Sequence, residues 1–149
     1  MLTREIVRAA ALLALAGAAQ AAPAAYDGLW FQCQPRWTAE KNYLLVDVQR
    51  GAHAWEAHWG ADDSARGKAQ ADEGGNLALR GCHAKGGKPA GNCDPAKAPL
   101  FAVLPKAVAK GPAEPEAAAL RGGRWIRTDA AGSTRLAQQC AALRPKATS

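Results

Sequence analysis

Apolar and polar positions alternate along most of this chain, and the alternation has the two-residue period of half-buried β-strands. "YLLVDVQ" (43–49) is the clearest case, with Leu44, Val46 and Val48 on one face and Tyr43, Asp47 and Gln49 on the other. "HAWEAHW" (53–59) sets Trp55, Ala57 and Trp59 against Glu56 and His58. The link Arg50-Gly51-Ala52 between these two segments has hairpin length. "GLWFQCQ" (28–34) predicts a first strand, "ARGKAQA" (65–71) a polar edge strand, and "NLALRGC" (76–82) a further strand entered through Asp72-Glu73-Gly74-Gly75. In the last of these, Leu77 and Leu79 share a face while Cys82 has the opposite parity, so a bulge is expected at Gly81. "LFAVL" (100–104) is a short buried run stopped by Pro105.

"GRWIRT" (123–128) and "STRLAQQC" (133–140) read as a final pair, the second also compatible with a short helix carrying Leu136, Cys140 and Leu143. Between these regions, residues 105–123 are rich in Ala, Pro and Lys and lack aromatics. They predict a long surface loop with one helical turn around Pro115 to Leu120, either a binding loop or a low-complexity insertion. The whole pattern predicts an all-β fold: a small antiparallel up-and-down barrel or sandwich of six to eight short strands.

The N-terminus does not belong to this pattern. Arg4 and Arg8 precede an uncharged Ala/Leu run that ends in Ala19-Gln20-Ala21. That is the layout of a secretory signal peptide, with cleavage expected after Ala21. The run is too short to span a bilayer core, which takes about 20 apolar residues. A single β domain, residues 22–149, is left, periplasmic or secreted, with no transmembrane segment in the mature chain.

Export changes how the cysteines are read. Cys33, Cys82, Cys93 and Cys140 form an even set in an oxidising compartment, which predicts a disulfide-stapled fold. Four cysteines allow three pairings. The turn formers between Cys82 and Cys93 favour a local bridge, and a barrel that sets the first and last strands side by side favours Cys33–Cys140, a bridge across more than 100 residues. The competing use of Cys82, His83 and Cys93 is metal or redox handling. Structural zinc wants Cys-x-x-Cys pairs and haem attachment wants Cys-x-x-Cys-His, and neither spacing occurs. No metal and no cofactor is implied, and His83 reads as a solvated loop residue.

Five tryptophans are many for a chain of 149 residues. Trp30, Trp55 and Trp59 lie inside alternating strands and are assigned first to the core. Trp37, beside Pro35 and Arg36, is the candidate exposed anchor. Trp37, Trp55, Trp59 and Trp125 together are the candidate ligand- or partner-binding residues, since aromatic side chains line apolar pockets and anchor interfaces. Hydrolase elbows, zinc-protease helices and phosphate-binding glycine loops are absent from the sequence, so no catalytic residue is proposed and the chain is read as a non-enzyme.

Charge is divided unevenly. Ala22–Leu79 carries five basic and eight acidic residues; Arg80–Ser149 carries twelve and four. A basic half suits an acidic protein or a weak contact with anionic envelope surfaces. Nucleic acid is not expected for an exported chain.

Gly28-x-Trp30 in "YDGLWFQC" resembles the Gly-x-Trp that opens lipocalin-like barrels, and a similar opening occurs in small periplasmic inhibitors of secreted metalloproteases. The resemblance covers that motif and the strand rhythm. It implies an up-and-down barrel in which Trp30 packs near a basic residue late in the chain, Arg135 or, as the alternative, Arg127. The function expected is binding without catalysis, the partner being a small apolar ligand or a protein, with inhibition of a secreted hydrolase as one concrete form.

Overall fold

The computed structural model describes residues 24–35, 42–49, 54–59, 63–85, 88–89, 97–112 and 114–143. The predicted signal peptide, Trp37, His53 and Cys93 lie outside these residues. A 3₁₀ turn at Ala24–Tyr26 leads into β1 (Gly28–Cys33), β2 (Tyr43–Gln49), β3 (Ala54–His58), β4 (Asp63–Ala71), β5 (Leu77–Lys85), β6 (Lys88–Pro89) and β7 (Leu100–Leu104). Helices α1 (Lys106–Ala109) and α2 (Glu116–Arg121) then precede β8 (Trp125–Thr128) and α3 (Ala130–Ala142).

These strands form one antiparallel sheet in the order β6-β5-β4-β3-β2-β1-β8, with β7 also paired to β5. β7 pairs with Leu77–Arg80 of β5 and β6 with Ala84–Lys85, so the two short strands share one edge. The sheet curls into a half-barrel. Its ends, β7 and β8, are bridged by α1 and α2 rather than by a strand ladder.

Alternation assigns the two faces. Trp30, Val46, Val48, Trp55, Ala57, Leu77, Leu79 and Leu104 fill the concave side with Tyr26, Trp59 and Trp125. The convex side is mostly polar except at one corner. There Phe31, Cys33, Tyr43, Leu45 and Ile126 are covered by Leu120 of α2 and by Leu136 and Cys140 of α3. Asp129 caps α3, its Oδ1 accepting from the Gly132 amide at 2.7 Å. The Cys33–Cys140 disulfide is the expected pair, but it fastens the helix α3 to β1 rather than a last strand to the first. The last segment is therefore the helix of the two alternatives, and the strand that flanks β1 is β8.

Three expectations are corrected. β4 is not an edge strand but lies between β3 and β5. Its polar residues point outward, and its inward positions are Ala65, Gly67 and Ala69; a Cβ on Gly67 would meet the β5 backbone, and one on Gly81 opposite would meet the Trp55 ring. The bulge expected at Gly81 is not in the β4–β5 ladder, which runs continuously from Asp63↔Lys85 to Ala71↔Leu77. The register instead shifts at Leu79/Arg80 against β7, where Phe101 is the extra residue. Residues 105–123 hold the expected helical turn, as α2, but they are not a surface excursion throughout. They hold two short helices, Ala119 and Leu120 are buried, and Val108 packs against the concave core.

Candidate functional site

Three clusters occupy the half-barrel. The first closes one end. Trp30 is fully buried and its indole Nε1 donates to the Tyr26 carbonyl at 2.8 Å. The Arg127 guanidinium lies 4.3 Å from the centre of the Trp30 ring, a cation–π contact. Its Nη1 donates to the Asp27 carbonyl at 2.6 Å, and Nη2 donates to the Ala25 carbonyl. The Tyr26 hydroxyl donates to the Gly75 carbonyl at 2.7 Å, and burial, reinforced by nearby Asp72, pushes its pKa up. One arginine on β8 thus holds the 3₁₀ turn and the first tryptophan against the sheet. Of the two basic candidates, Arg127 takes this position. Arg135 sits on α3 and forms a bidentate pair with Glu116 of α2, which draws the Glu116 carboxyl below its ordinary range.

The second cluster is aromatic. The ring of Trp55 is 4.7 Å from Phe101, and Trp59 is 5.2 Å from His83 and 5.6 Å from Phe101. Trp55 crosses under a glycine pair, Gly67 opposite Gly81, and its Nε1 donates to the carbonyls of Lys68 and Arg80, each at 3.1 Å. A Cβ on Gly67 would stand 1.9 Å from the Arg80 carbonyl oxygen, so only glycine admits this approach. His83 is exposed and lies on β5, not in a loop as its sequence neighbourhood suggested. Its ring covers the edge of the cluster, 5.5 Å from Phe101.

The third feature is a cleft at the seam where the barrel stays open. It encloses about 590 Å³ between α1, α2 and β8. Val108, Pro112, Pro115, Ala119, Trp125 and Ile126 give it an apolar floor. An Arg124–Glu114 salt bridge of 2.7 Å stands on its rim, with Arg127 and Glu116 beside it. The sheet side of the cleft is the edge of β8 away from β1.

The predicted binding residues are therefore divided. Trp55 and Trp59 share the aromatic cluster, Trp125 lines the seam cleft, and all three are buried. Sequence reasoning missed Phe101, Tyr26 and the cleft itself. Phe101 was readable only as part of an apolar run, and the cleft joins residues about twenty positions apart. Asn42 was also missed: it is the buried polar residue at the foot of β2, and its Nδ2 donates to the Cys140 carbonyl at 3.1 Å.

Cys82 is disulfide-bonded, and none of the described cysteines is free. Its predicted partner, Cys93, lies outside the described residues. Among the described residues no three His, Cys, Asp or Glu side chains gather as a metal site, and no helix is long and apolar enough to cross a membrane. Comparison with protein-family models, curated proteins and solved structures found no match to this chain.

Proposed function

We propose that this chain is an exported, non-catalytic binding module that engages a protein partner from its surface. The observation that carries this reading is the filled concave face. Trp30, Trp55, Leu77, Leu79 and Leu104 are at most 1 % exposed and occupy the space where a hollow barrel would hold a ligand. Close packing of this kind leaves no room for a guest in the barrel itself. The signal-peptide pattern and the disulfides support export. The partner class favoured by the Gly28-x-Trp30 resemblance is a secreted hydrolase, inhibited by occupation of its active-site cleft.

A second reading rests on the seam. A largely apolar cleft of about 590 Å³ is within the size range of small-molecule sites. A small apolar ligand would then sit between α1, α2 and Trp125 rather than on the barrel axis.

The deciding experiment joins two measurements on oxidised mature protein. Titration against secreted metalloproteases and other secreted hydrolases is expected to give stoichiometric inhibition of one of them, with the binding protein left uncleaved. Native mass spectrometry is expected to show the apo mass. A retained small molecule, with no hydrolase inhibited, would overturn the protein-partner reading in favour of the seam ligand.

A further inference from the structure

The convex side of the sheet carries charge in an arrangement that folding does not call for. Alternation places Arg66 and Lys68 of β4 and Arg80 of β5 outward, and all three are exposed. The register sets Lys68 directly across from Arg80, and Arg80 across from Leu100 of β7. Neighbouring strands are about 4.8 Å apart, so two cations and an aliphatic side chain stand in one row within about 10 Å. Arg66 lies two residues along from Lys68 on the same face. Glu56, whose Oε1 is engaged by His58 Nε2 at 2.8 Å, is registered opposite Arg66 and has Asp47 on its other side, so the cationic patch is confined to β4 and β5 and bounded by acidic residues on β3 and β2. Among the described residues, the ion pairs are made elsewhere and none involves Arg66, Lys68 or Arg80. Like charges directly opposite one another weaken a sheet. Leu100, at 50 % exposure, is the large apolar side chain that the described residues leave most open to solvent.

We propose that this cationic convex face, with Leu100 at its edge, docks the protein onto an anionic lipid surface. The occupant follows from complementarity. Arginine and lysine attract anionic headgroups, and an aliphatic tip beside them enters the headgroup–acyl boundary. The face is the outer side of a curled sheet, so it offers a planar boundary a contact without needing a groove. The mature chain carries 17 basic and 12 acidic residues, and this positive balance adds long-range attraction. An acidic protein that also buried Leu100 is the competing occupant, and vesicle binding separates the two. This inference goes beyond the partner-binding reading, which assigns no face of the sheet, and stands or falls without it.

The test is sedimentation of the mature protein with vesicles of phosphatidylglycerol and phosphatidylcholine in a two-to-three ratio, against vesicles of phosphatidylcholine alone. Binding is expected to the anionic vesicles only and to weaken as salt is raised. Each cation is worth about fivefold in affinity, so Arg66→Gln/Lys68→Gln/Arg80→Gln is expected to lose about a hundredfold. Leu100→Ser is expected to lose about threefold or more at unchanged charge. Near-ultraviolet circular dichroism checks the fold of each variant; should the triple variant not fold, the single Lys68→Gln and Leu100→Ser variants carry the test. No preference for anionic vesicles, or equal binding by the folded cation variants, overturns the proposal. Retention on immobilised polyglutamate without vesicle binding also overturns it, and points to an acidic protein instead.

Discussion

Replacing Gly67 by alanine tests the packing at the centre of the sheet, because two physical effects oppose each other there. In an ordinary strand the change is favourable by about 0.4–1 kcal/mol, since alanine restricts the unfolded chain more than glycine does. At this position the new Cβ would lie 1.9 Å from the Arg80 carbonyl oxygen and 2.5 Å from the Gly81 Cα. Both are backbone atoms, which cannot swing away as a side chain does. β4 and β5 must separate by about 1 Å for the contact to become tolerable, and overpacking of this kind costs about 1–3 kcal/mol. The same separation disturbs the two bonds from Trp55 Nε1, now 3.1 Å each to the Lys68 and Arg80 carbonyls, for a further loss of about 1 kcal/mol. The net expectation is a loss of about 1–3.5 kcal/mol. Urea unfolding of the oxidised protein, followed by tryptophan fluorescence, measures it as a lower midpoint with little change in slope. Gly74→Ala is the control. Its Cβ meets only the Asn76 and Asp72 side chains, at 3.3 and 3.4 Å, and a change within about 0.5 kcal/mol is expected. A Gly67→Ala protein as stable as the parent would refute the close approach of the two strands.

Three further outcomes are expected. Cys33→Ala/Cys140→Ala removes a bridge of sequence separation 107 and should cost about 3–5 kcal/mol in thermal or urea unfolding; a loss below about 1 kcal/mol would show that α3 holds to β1 by packing alone. Arg127→Leu removes the cation over Trp30 and two bonds to carbonyls, and should cost about 1–3 kcal/mol, whereas Arg135→Leu, at an exposed pair, should stay within about 1 kcal/mol. The raised pKa of Tyr26 means the folded state holds its phenolic proton more tightly than the unfolded chain. That contribution is complete below the ordinary tyrosine pKa of 10.0 and is lost as pH rises through the higher folded value. Thermal midpoints taken across this alkaline range should therefore fall more steeply for the parent than for Tyr26→Phe, and parallel profiles would remove the assigned cause.

The strands were legible in particular places. "YLLVDVQ" alternates cleanly because one face meets the core and the other meets water, and β2 has the predicted limits, Tyr43–Gln49. "LFAVL" is likewise β7, Leu100–Leu104, but it is not the buried run expected: only Leu104 is buried and Leu100 is exposed, because β7 lies at the sheet edge. β4 was misread as an edge because its inner positions are alanine and glycine, which carry no hydrophobic signal. What makes them inner is Trp55, supplied by a neighbouring strand. His83 and Phe101 were misplaced or missed for a related reason, since an aromatic cluster depends on which strands adjoin. Helix α3 was undecided because "STRLAQQC" is too short for either period to prevail, and the Asp129 cap lies upstream of the segment weighed.

The sequence by itself determined the class of the fold and the burial of Trp30, Trp55 and Trp59, and it favoured the Cys33–Cys140 pair among the three possible pairings. These follow from local periodicity, composition and loop entropy, all of which act over short stretches or on the chain as a whole. Only the tertiary structure decided the strand neighbours, the seam cleft, the choice of Arg127 over Arg135, and the row Lys68–Arg80–Leu100. Those depend on register, and register is set by how distant side chains share one core. A single-residue slip of β5 would keep its hydrophobic pattern in the sequence unchanged, yet it would turn Arg80 inward and dissolve the row.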